Sequence, residues 1–278
     1  ADDALGFSIS RLCFEGPAED LQLTENTQPA ILTVSVAAFR ALQEAGIGAP
    51  AFVAGHSLGE YSALVAAGAL SLSDAVLTVR ARGRYMQEAV PIGTGAMAAV
   101  IGGELGDIER VCEEARNGQV CSIANLNSPS QAVIAGNTEA VDRAIERLNG
   151  VAKRVIKLKV SAPFHCALMK PAQDLLATDL ERLRFNDPAM PVVTNVDARP
   201  VTAPKELRDS LVRQVSAPVR WVESMQLLVE QAVGTFVEVG PGKVLSGLMR
   251  QINRDVKMLN VEDAASLEAT KAALAAGD

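Results

Sequence analysis

Cysteine and histidine are scarce in this sequence of 278 residues, which contains four cysteines and two histidines. The cysteines form no CxxC pair, and only the two histidines would be left to complete a metal site with them, so a structural zinc site is not expected. Four cysteines are also too few for a disulfide scaffold in a chain of this length. The sequence therefore predicts reduced thiols and a cytoplasmic protein.

Long apolar runs and a surplus of basic residues are missing as well. Uncharged apolar runs such as residues 63–70 fall far short of the roughly 18 residues that a membrane span needs, and residues 1–20 show no signal-peptide pattern. The 26 Lys and Arg residues against 33 Asp and Glu residues give a net charge of −7, and the basic residues are scattered. Neither a membrane nor a nucleic acid is therefore an expected partner.

The composition that remains, with 49% hydrophobic and 21% charged residues, is that of a globular protein with one large domain or two unequal ones. In the first part of the chain, apolar residues recur at helical spacing over residues 27–45, with Thr27 as the expected N-cap. A short buried strand is predicted at residues 51–55, and helices follow at 60–69 and 73–89.

The middle of the chain has a different pattern, which predicts the element order β-α-β-β-α-β. The expected strands and helices span residues 94–101, 107–116, 120–126, 131–135, 139–148 and 153–160. In the last strand apolar residues alternate with Lys157 and Lys159, which predicts a sheet with one buried and one solvated face. Residues 93–160 are therefore predicted to form an inserted ferredoxin-like subdomain.

Strands and helices alternate again in the last part of the chain. They are expected at residues 170–183, 192–195, 206–214, 221–231, 235–239 and 243–252. Such alternation predicts an α/β fold with a mostly parallel sheet covered by helices on both faces.

Gly55-His56-Ser57-Leu58-Gly59 matches the pattern G-x-S-x-G between a predicted strand and a predicted helix. This context favours a nucleophile elbow, in which a tight turn exposes the serine hydroxyl. The turn is expected to require glycine on both flanks of the serine. The amide of Leu58, at the start of the helix, is then a candidate oxyanion donor. The structural alternative is a glycine-rich turn with an ordinary N-cap serine.

A serine nucleophile needs a base, and the chain offers only His56 and His165. His56 adjoins Ser57 in sequence, and successive residues of a strand face opposite ways, so it is badly placed to accept the serine proton. His165 lies in a small-residue and proline segment directly after the predicted subdomain. The sequence therefore favours His165 as the base.

A phosphate-binding loop is not supported at residues 240–243, although this Gly-Pro-Gly-Lys segment has some of the expected residues. Val237 stands where the first glycine of the phosphate-loop pattern belongs, and Val244 replaces the serine or threonine after the lysine. A tight turn from a strand into a helix is the better interpretation.

Several motifs in family order carry a resemblance that covers nearly the whole chain. They are Gly55-His56-Ser57-Leu58-Gly59-Glu60, Arg82-Gly83, Met86-Gln87, Asn127-Ser128-Pro129, Pro163-Phe164-His165, Leu168-Met169 and Gly240-Pro241-Gly242. Together they resemble the malonyl-CoA:acyl carrier protein transacylase family of bacterial type II fatty acid synthesis. The resemblance implies an α/β-hydrolase-like core formed by residues 1–92 and 161–278, with the ferredoxin-like subdomain inserted.

The resemblance also implies roles for single residues. Ser57 would carry a malonyl ester, and His165 would act first as base and then as acid. The backbone carbonyl of Gln214 would orient the histidine in place of a carboxylate. Arg82 would bind the free carboxylate of malonate, although helical geometry alone places Arg80 equally well.

Three further expectations concern the pocket and its completeness. The resemblance implies substrate contacts from Phe164 and His56, and the ring of Phe164 is expected to favour malonyl over 2-methylmalonyl groups. Family members begin with a strand and a Gly-Gln-Gly loop that supplies a second oxyanion donor, whereas this sequence starts at Ala1-Asp2-Asp3. We therefore expect that the natural beginning of the chain is missing from this sequence.

The activity implied is ping-pong transfer of a malonyl group from malonyl-CoA to acyl carrier protein by a monomer that needs no metal or bound cofactor. One alternative is a serine thioesterase or esterase, because several carboxylates between Ser57 and His165 are available for a Ser-Asp-His order. Others are a trans-acting acyltransferase of the polyketide synthase type and a non-catalytic module that docks a carrier protein.

Overall fold

The computed structural model describes residues 1–91 and 93–276 and begins with four helices. These are α1 (Asp2–Leu5), α2 (Ile9–Glu15), α3 (Ala18–Gln22) and α4 (Thr24–Glu44). The N-cap prediction at Thr27 is wrong, since α4 begins three residues earlier and the Thr27 hydroxyl donates to the backbone oxygens of Leu21 and Leu23 instead. The sequence patterns also gave no prediction for α1, α2 and α3.

The elbow region follows the prediction closely. Its elements are β1 (Val53–Ala54), α5 (Gly59–Ala66) and α6 (Leu72–Glu88). At Gly83 helix α6 lies against the start of α4, where a Cβ would stand 2.7 Å from Glu25 Cα and from the Thr24 carbonyl oxygen. The glycine therefore lets the two helices approach closely, next to Arg82.

The middle region has the predicted element order. Its elements are β2 (Gly95–Ile101), α7 (Leu105–Arg116), β3 (Cys121–Ser128), β4 (Gln131–Asn137), α8 (Thr138–Leu148) and β5 (Arg154–Lys157). The strands form one antiparallel sheet in the order β3-β4-β2-β5. Ile92, at the predicted boundary of this region, lies outside the described residues.

The prediction of a solvated sheet face is wrong for the central strands. Ala96, Ala98 and Val100 of β2 join a buried cluster with α7 and α8, while Met97, on the other face, packs in a second buried cluster with Cys166. Only β5, at the sheet edge, has exposed residues at both ends. The second face is buried because the segment that carries His165 packs on it.

The last region contains a short 3-10 helix, Ala167–Met169, followed by helices and short strands. They are α9 (Lys170–Glu181), β6 (Val192–Val193), β7 (Pro200–Val201), α10 (Pro204–Gln214), α11 (Trp221–Glu230), β8 (Thr235–Val239), α12 (Val244–Ile252), β9 (Lys257–Val261) and α13 (Ala264–Ala275). The sequence patterns did not predict β7, β9 or α13.

The expected single parallel sheet is replaced, in the described residues, by two small sheets. Strands β1 and β6 pair in parallel and β7 adds antiparallel to β6, whereas β8 and β9 form a separate parallel pair. The mixed α/β class is confirmed, but the prediction of one mostly parallel sheet is wrong for this part of the chain. Most of the core residues in this part of the molecule lie on the helices that surround the two-residue strands.

Backbone bonds also join the middle sheet to the last region. Val219 accepts from the Leu126 amide of β3 at 2.9 Å and donates to the Ala124 carbonyl at 2.9 Å. Ser128 adds a side-chain bond of 2.9 Å to Gln251 in α12. Strand β3 is thereby fixed beside the segment that connects α10 to α11.

Candidate active site

Ser57 lies in the turn between β1 and α5, in a backbone conformation that non-glycine residues rarely adopt, with φ at +52°. Its amide donates to Asn195 Oδ1 at 2.6 Å, and Asn195 Nδ2 donates to the Gly55 carbonyl at 2.7 Å. Asn195, which follows β6, thus holds both ends of the turn. The strained conformation is the one expected of a nucleophile elbow.

The two glycines that flank the serine differ in what they allow. A Cβ on Gly55 would stand 1.9 Å from the Gly59 carbonyl oxygen, whereas nothing lies within 4 Å of a Cβ on Gly59. The expectation that both positions require glycine is therefore correct for Gly55 and wrong for Gly59.

This difference gives a prediction with a matched control. Gly55→Ala should lower the free energy of unfolding by about 1–3 kcal/mol or more, because the added methyl group overlaps backbone atoms that cannot rotate away. Gly59→Ala, in the first turn of α5, should match the wild type or gain stability, since alanine favours helix. Urea unfolding of both variants measures this, and equal losses would contradict it.

His165 reaches Ser57 from the segment that covers the middle sheet. The Ser57 hydroxyl and His165 Nε2 are 2.7 Å apart, and His165 Nδ1 lies 2.9 Å from the backbone carbonyl oxygen of Gln214. A carbonyl only accepts, so Nδ1 carries the proton and Nε2 is free to accept the serine proton. The His165 backbone is itself strained, with φ at +59°.

Burial keeps His165 neutral. Desolvation, and next the nearby charge of Arg82, lower the pKa of His165 to about 3. His165 as a whole residue is 4% exposed, which explains why desolvation is the larger cause. A neutral imidazole is the form that can accept a proton.

Arg82 is buried in α6, at 2% exposure, and also reaches the serine. Its Nη2 donates to the Ser57 hydroxyl at 3.0 Å and to Gln214 Oε1 at 2.9 Å, and its Nη1 donates to Gln28 Oε1 at 2.6 Å. Its Nε is buried without an acceptor in the described part of the chain. One guanidinium edge therefore has an unused donor beside a donor that contacts the serine.

The structure separates Arg82 from its two neighbours on α6, which helical spacing did not. The guanidinium of Arg80 lies over the ring of Phe7, 4.1 Å from its centroid, and that of Arg84 lies over the ring of Tyr85 at 5.4 Å. Of these three arginines, Arg82 is the one that contacts Ser57.

His56 does not contact the serine hydroxyl, as its place in sequence predicted. Its Nε2 lies 2.8 Å from Asn127 Oδ1, and its ring packs on Trp221 with 5.5 Å between centroids. His56 thus links the elbow to β3 and to the start of α11. Its substrate-binding role stays a prediction.

Leu58 and Phe164 flank the two central residues. The Leu58 amide, at the start of α5, has no acceptor among the described residues, which leaves it free to donate to a ligand. Phe164 is half-buried and packs against both the helical core and the second cluster of the middle sheet. The roles in oxyanion binding and in acyl-group selection remain predictions for these two residues.

Three polar residues of the site were not predicted from sequence. Glu60 is fully buried, and its Oε2 accepts from the Asn195 amide at 3.0 Å and from Gln214 Nε2 at 2.9 Å. Gln28 and Asn195 are buried as well and bond to Arg82 and Ser57, respectively. Glu60 adjoins the G-x-S-x-G motif, which was the one signal available.

The Gly-Pro-Gly segment is a strand-to-helix turn, as expected. Gly240 and Gly242 have φ of +124° and +87°. The first free amides of α12, those of Leu245 and Ser246, donate to the Glu238 carboxylate at 2.9 and 2.7 Å. This helix N-terminus is therefore already occupied by an anion of the chain itself.

Within residues 1–91 and 93–276, no group of three or more His, Cys, Asp or Glu residues is placed to hold a metal ion, and the four cysteines are free. None of the described helices combines the length and the apolar character that crossing a bilayer requires. The described site thus consists of a strained serine, a neutral histidine and a buried guanidinium on one hydroxyl oxygen. This set suits nucleophilic attack on an acyl group that carries a carboxylate.

Comparison with known proteins gives consistent matches over nearly the whole chain. The family model described as an acyl transferase domain matches residues 2–272. The malonyl CoA-acyl carrier protein transacylase of Escherichia coli K12 is 54% identical over 253 residues, which cover 91% of this chain and 82% of that protein.

Two solved structures are similar in fold as well as in sequence. One is an acyl carrier protein S-malonyltransferase from Vibrio cholerae, with a TM-score of 0.95, 48% identity and coverage of 97% of this chain and 88% of that chain. The other is a malonyl-transacylase in complex with a type II PKS acyl-carrier protein, with a TM-score of 0.94, 49% identity and coverage of 96% and 87%.

Proposed function

The chain belongs to the acyl transferase family, among the malonyl-CoA:acyl carrier protein transacylases, and from this premise we propose that it transfers malonyl groups to acyl carrier protein for fatty acid synthesis through an ester on Ser57. The observation that carries the proposal is the convergence of His165 Nε2 and Arg82 Nη2 on the Ser57 hydroxyl, at 2.7 and 3.0 Å. One group removes the proton, and the other recognises the acyl group.

In the first half-reaction His165 Nε2 takes the Ser57 proton as the hydroxyl oxygen attacks the thioester carbonyl of malonyl-CoA. The tetrahedral intermediate collapses with cleavage of the C–S bond, and the imidazolium returns the proton to the departing coenzyme A thiolate. In the second half the phosphopantetheine thiol of the carrier protein gives its proton to His165 and attacks the ester. Ser57 then leaves as alkoxide and takes the proton back.

Two donors serve the acyl group in this proposal. The Leu58 amide, free and at a helix N-terminus, stabilises the oxyanion of the tetrahedral intermediate. Arg82 binds the free carboxylate through Nε and through the Nη2 hydrogen that Ser57 accepts before the acyl group binds, a pair of donors that suits a carboxylate bidentately. Nε gains the acceptor that it lacks within the described chain.

The hydrolase alternative is less well supported. In a Ser-Asp-His arrangement a carboxylate accepts from the histidine, whereas His165 Nδ1 lies against the Gln214 carbonyl. A neutral ester also offers no carboxylate to the buried Arg82 guanidinium. The polyketide alternative keeps a specific observation in its favour, the similarity to the transacylase solved with a type II PKS carrier. Its reaction is chemically the same.

We also propose a division of the fold into a core and an inserted subdomain. Residues 93–160 form a ferredoxin-like subdomain, supported by the order β3-β4-β2-β5 and by two helices packed on one face. The other segments form the α/β-hydrolase-like core that holds Ser57 and His165. The half-buried ring of Phe164 favours malonyl over 2-methylmalonyl groups. The monomeric state and the cytoplasmic location stay predictions.

The proposed function is tested by intact-mass measurement after mixing with malonyl-CoA. We expect a gain of one malonyl group, its loss when the phosphopantetheine form of acyl carrier protein is added, and no gain for Ser57→Ala. Release of the group by water as fast as by the carrier thiol would favour the thioesterase. Absence of any gain would favour a docking module.

The pH dependence of acylation follows from His165. An imidazole with an ordinary pKa of 6.5 would be mostly protonated at pH 5, which would slow acylation roughly 25-fold relative to pH 7. With its pKa lowered to about 3, His165 stays neutral over this range, so the acylation rate at pH 5 should stay within about a factor of two of that at pH 7. Stopped-flow acylation measures this.

The controls for the pH experiment are a folding measurement and one variant. Circular dichroism at both pH values excludes acid unfolding. Burial raises the pKa of Glu60 to about 7, so Glu60→Gln removes a nearby carboxyl that titrates in this range. A 25-fold loss in both proteins would show that His165 titrates normally.

A further inference from the structure

Two buried ionisable groups in the site are joined through a neutral side chain rather than directly. Glu60 and Arg82 are 0% and 2% exposed, and no ion pair forms between them in the described structure. The Gln214 side chain lies between them: its Nε2 donates to Glu60 Oε2 and its Oε1 accepts from Arg82 Nη2, both at 2.9 Å. Glu60, Gln214 and Arg82 together form a unit that we call the amide bridge.

The amide bridge has one allowed direction. Gln214 Nε2 donates to the Ser57 carbonyl as well as to Glu60, each at 2.9 Å, and neither acceptor has a hydrogen to give when Glu60 is ionised. The reversed amide would place its oxygen against these two oxygens and its NH₂ against a guanidinium that only donates. Glu60 therefore helps to turn Gln214 Oε1 toward Arg82.

A contribution to fold stability does not explain why a carboxylate is buried at Glu60. Glu60 Oε1 is buried without a partner in the described residues, and burial raises the pKa of the group. A buried carboxylate with an unsatisfied oxygen is weak evidence for stability, and such departures from good packing are expected at functional sites. Arg82 is held on its other side by Gln28, which fixes Nη1 but leaves Nη2 to the bridge.

We propose that Glu60 is a positioning residue for the choice of acyl donor: through Gln214 it holds Arg82 where the guanidinium receives the carboxylate of the acyl group. The inference rests on the proposed role of Arg82. It goes further in assigning donor selection to a residue that is separated from the substrate by two side chains.

Two substitutions at Glu60 separate this role from a merely structural one. Glu60→Leu removes both acceptor oxygens, whereas Glu60→Gln retains one that can accept from Gln214 and from the Asn195 amide. In Glu60→Leu the ratio of kcat/KM for malonyl-CoA to that for acetyl-CoA should fall about tenfold or more, the usual effect of losing a hydrogen bond to a charged group. In Glu60→Gln the ratio should equal that of the wild type.

Glu238 provides the matched control. Its carboxylate also accepts two backbone amides, those of Leu245 and Ser246, but at the start of α12. Glu238→Leu should change the kcat/KM values for both donors by the same factor. Acylation of Ser57 is followed by intact mass, and thermal melting shows whether each variant is folded.

Three results would overturn the proposal. The first is an equal loss for both donors in Glu60→Leu, which would mean that Glu60 only supports the elbow. The second is a Glu60→Gln variant as unselective as Glu60→Leu, which would assign the effect to charge and not to amide direction. If Glu60→Leu does not fold, Gln214→Met replaces it in the test, because this variant keeps the backbone carbonyl that contacts His165. The third contradicting result is then a malonyl-to-acetyl ratio in Gln214→Met equal to that of the wild type.

Measuring the same ratio in Arg82→Ala distinguishes failure of this inference from failure of the proposed function. Arg82→Ala should lower the same ratio by itself. If it does not, the proposed binding of the acyl carboxylate by Arg82 is wrong and the proposed function needs revision. If Arg82→Ala lowers the ratio while Glu60→Leu leaves it unchanged, only the role of Glu60 fails.

Discussion

Ser57→Ala and His165→Ala should each lower the rate of malonyl transfer by about 10⁴-fold or more, and the double variant should be scarcely slower than either single one. The two side chains share one proton across 2.7 Å, so the proposed proton transfer is lost when either side chain is removed. The second histidine cannot substitute, because His56 Nε2 is bonded to Asn127.

Transfer to acyl carrier protein by each of the three variants is measured by gel or mass assay, with Cys166→Ala as the control. Cys166 adjoins His165 and is buried, its thiol donating to the Pro163 carbonyl at 3.1 Å. This variant disturbs the same segment without removing the base, so it should keep measurable activity. A near-normal rate in His165→Ala would disprove the dyad.

Arg82→Ala should slow acylation by malonyl-CoA while leaving acylation by acetyl-CoA unchanged or faster. The bonds lost are charge-assisted and are made only to an acyl group with a carboxylate, so they are worth roughly 1.5–3 kcal/mol, or about 10- to 150-fold in kcat/KM. In the wild type the Arg82 guanidinium donates to the Ser57 hydroxyl at 3.0 Å. Its removal frees the nucleophile of this bond, and acetyl-CoA has no carboxylate whose binding would be lost.

Arg80→Ala and Arg84→Ala are the controls for charge on α6. Both guanidinium groups lie over aromatic rings, those of Phe7 and Tyr85, so neither substitution should alter the preference for malonyl. Competition between the two thioesters, read by the mass of the acylated protein, gives the preference directly. Equal losses for malonyl and acetyl in Arg82→Ala would show that the arginine is structural.

The sequence predicted the order of elements and the central pair because both follow from local or countable features. The periodicity of residues 94–160 specified β-α-β-β-α-β, and the structure has that order. Two histidines in 278 residues reduced the search for a base to an elimination. The geometry of the turn then depended on Gly55, where a side chain does not fit.

The buried polar partners could not be predicted, because each depends on a distance between residues far apart in the chain. Gln28 and Asn195 look like an ordinary helix residue and an ordinary residue at a strand end until the fold brings them to Arg82 and Ser57. The same limit applied to the second face of the middle sheet. Alternation along the last predicted strand was only partly right, because β5 ends at Lys157 and Val160, expected on the buried face, is 39% exposed. It also carried no information on the segment that packs over β2 and β4.

The choice between the arginines was open for a similar reason. Helical angle places Arg80 and Arg82 on comparable sides of α6, and only the neighbouring helix distinguishes them. The close contact at Gly83 brings the start of α4 against α6, which puts Gln28 within 2.6 Å of Arg82. A packing detail between two helices thus separates Arg82, which contacts Ser57, from Arg80.

The spacing of the amide bridge along the chain has a consequence for biosynthesis. Gln214 follows Ser57 by 157 residues and Arg82 by 132. At about 5–20 residues per second, a ribosome needs on the order of 10–30 s to add the 157 residues between the serine and its last partner. During that interval the nascent chain contains Ser57, Glu60 and Arg82 without Gln214, so the contacts of the amide bridge cannot form.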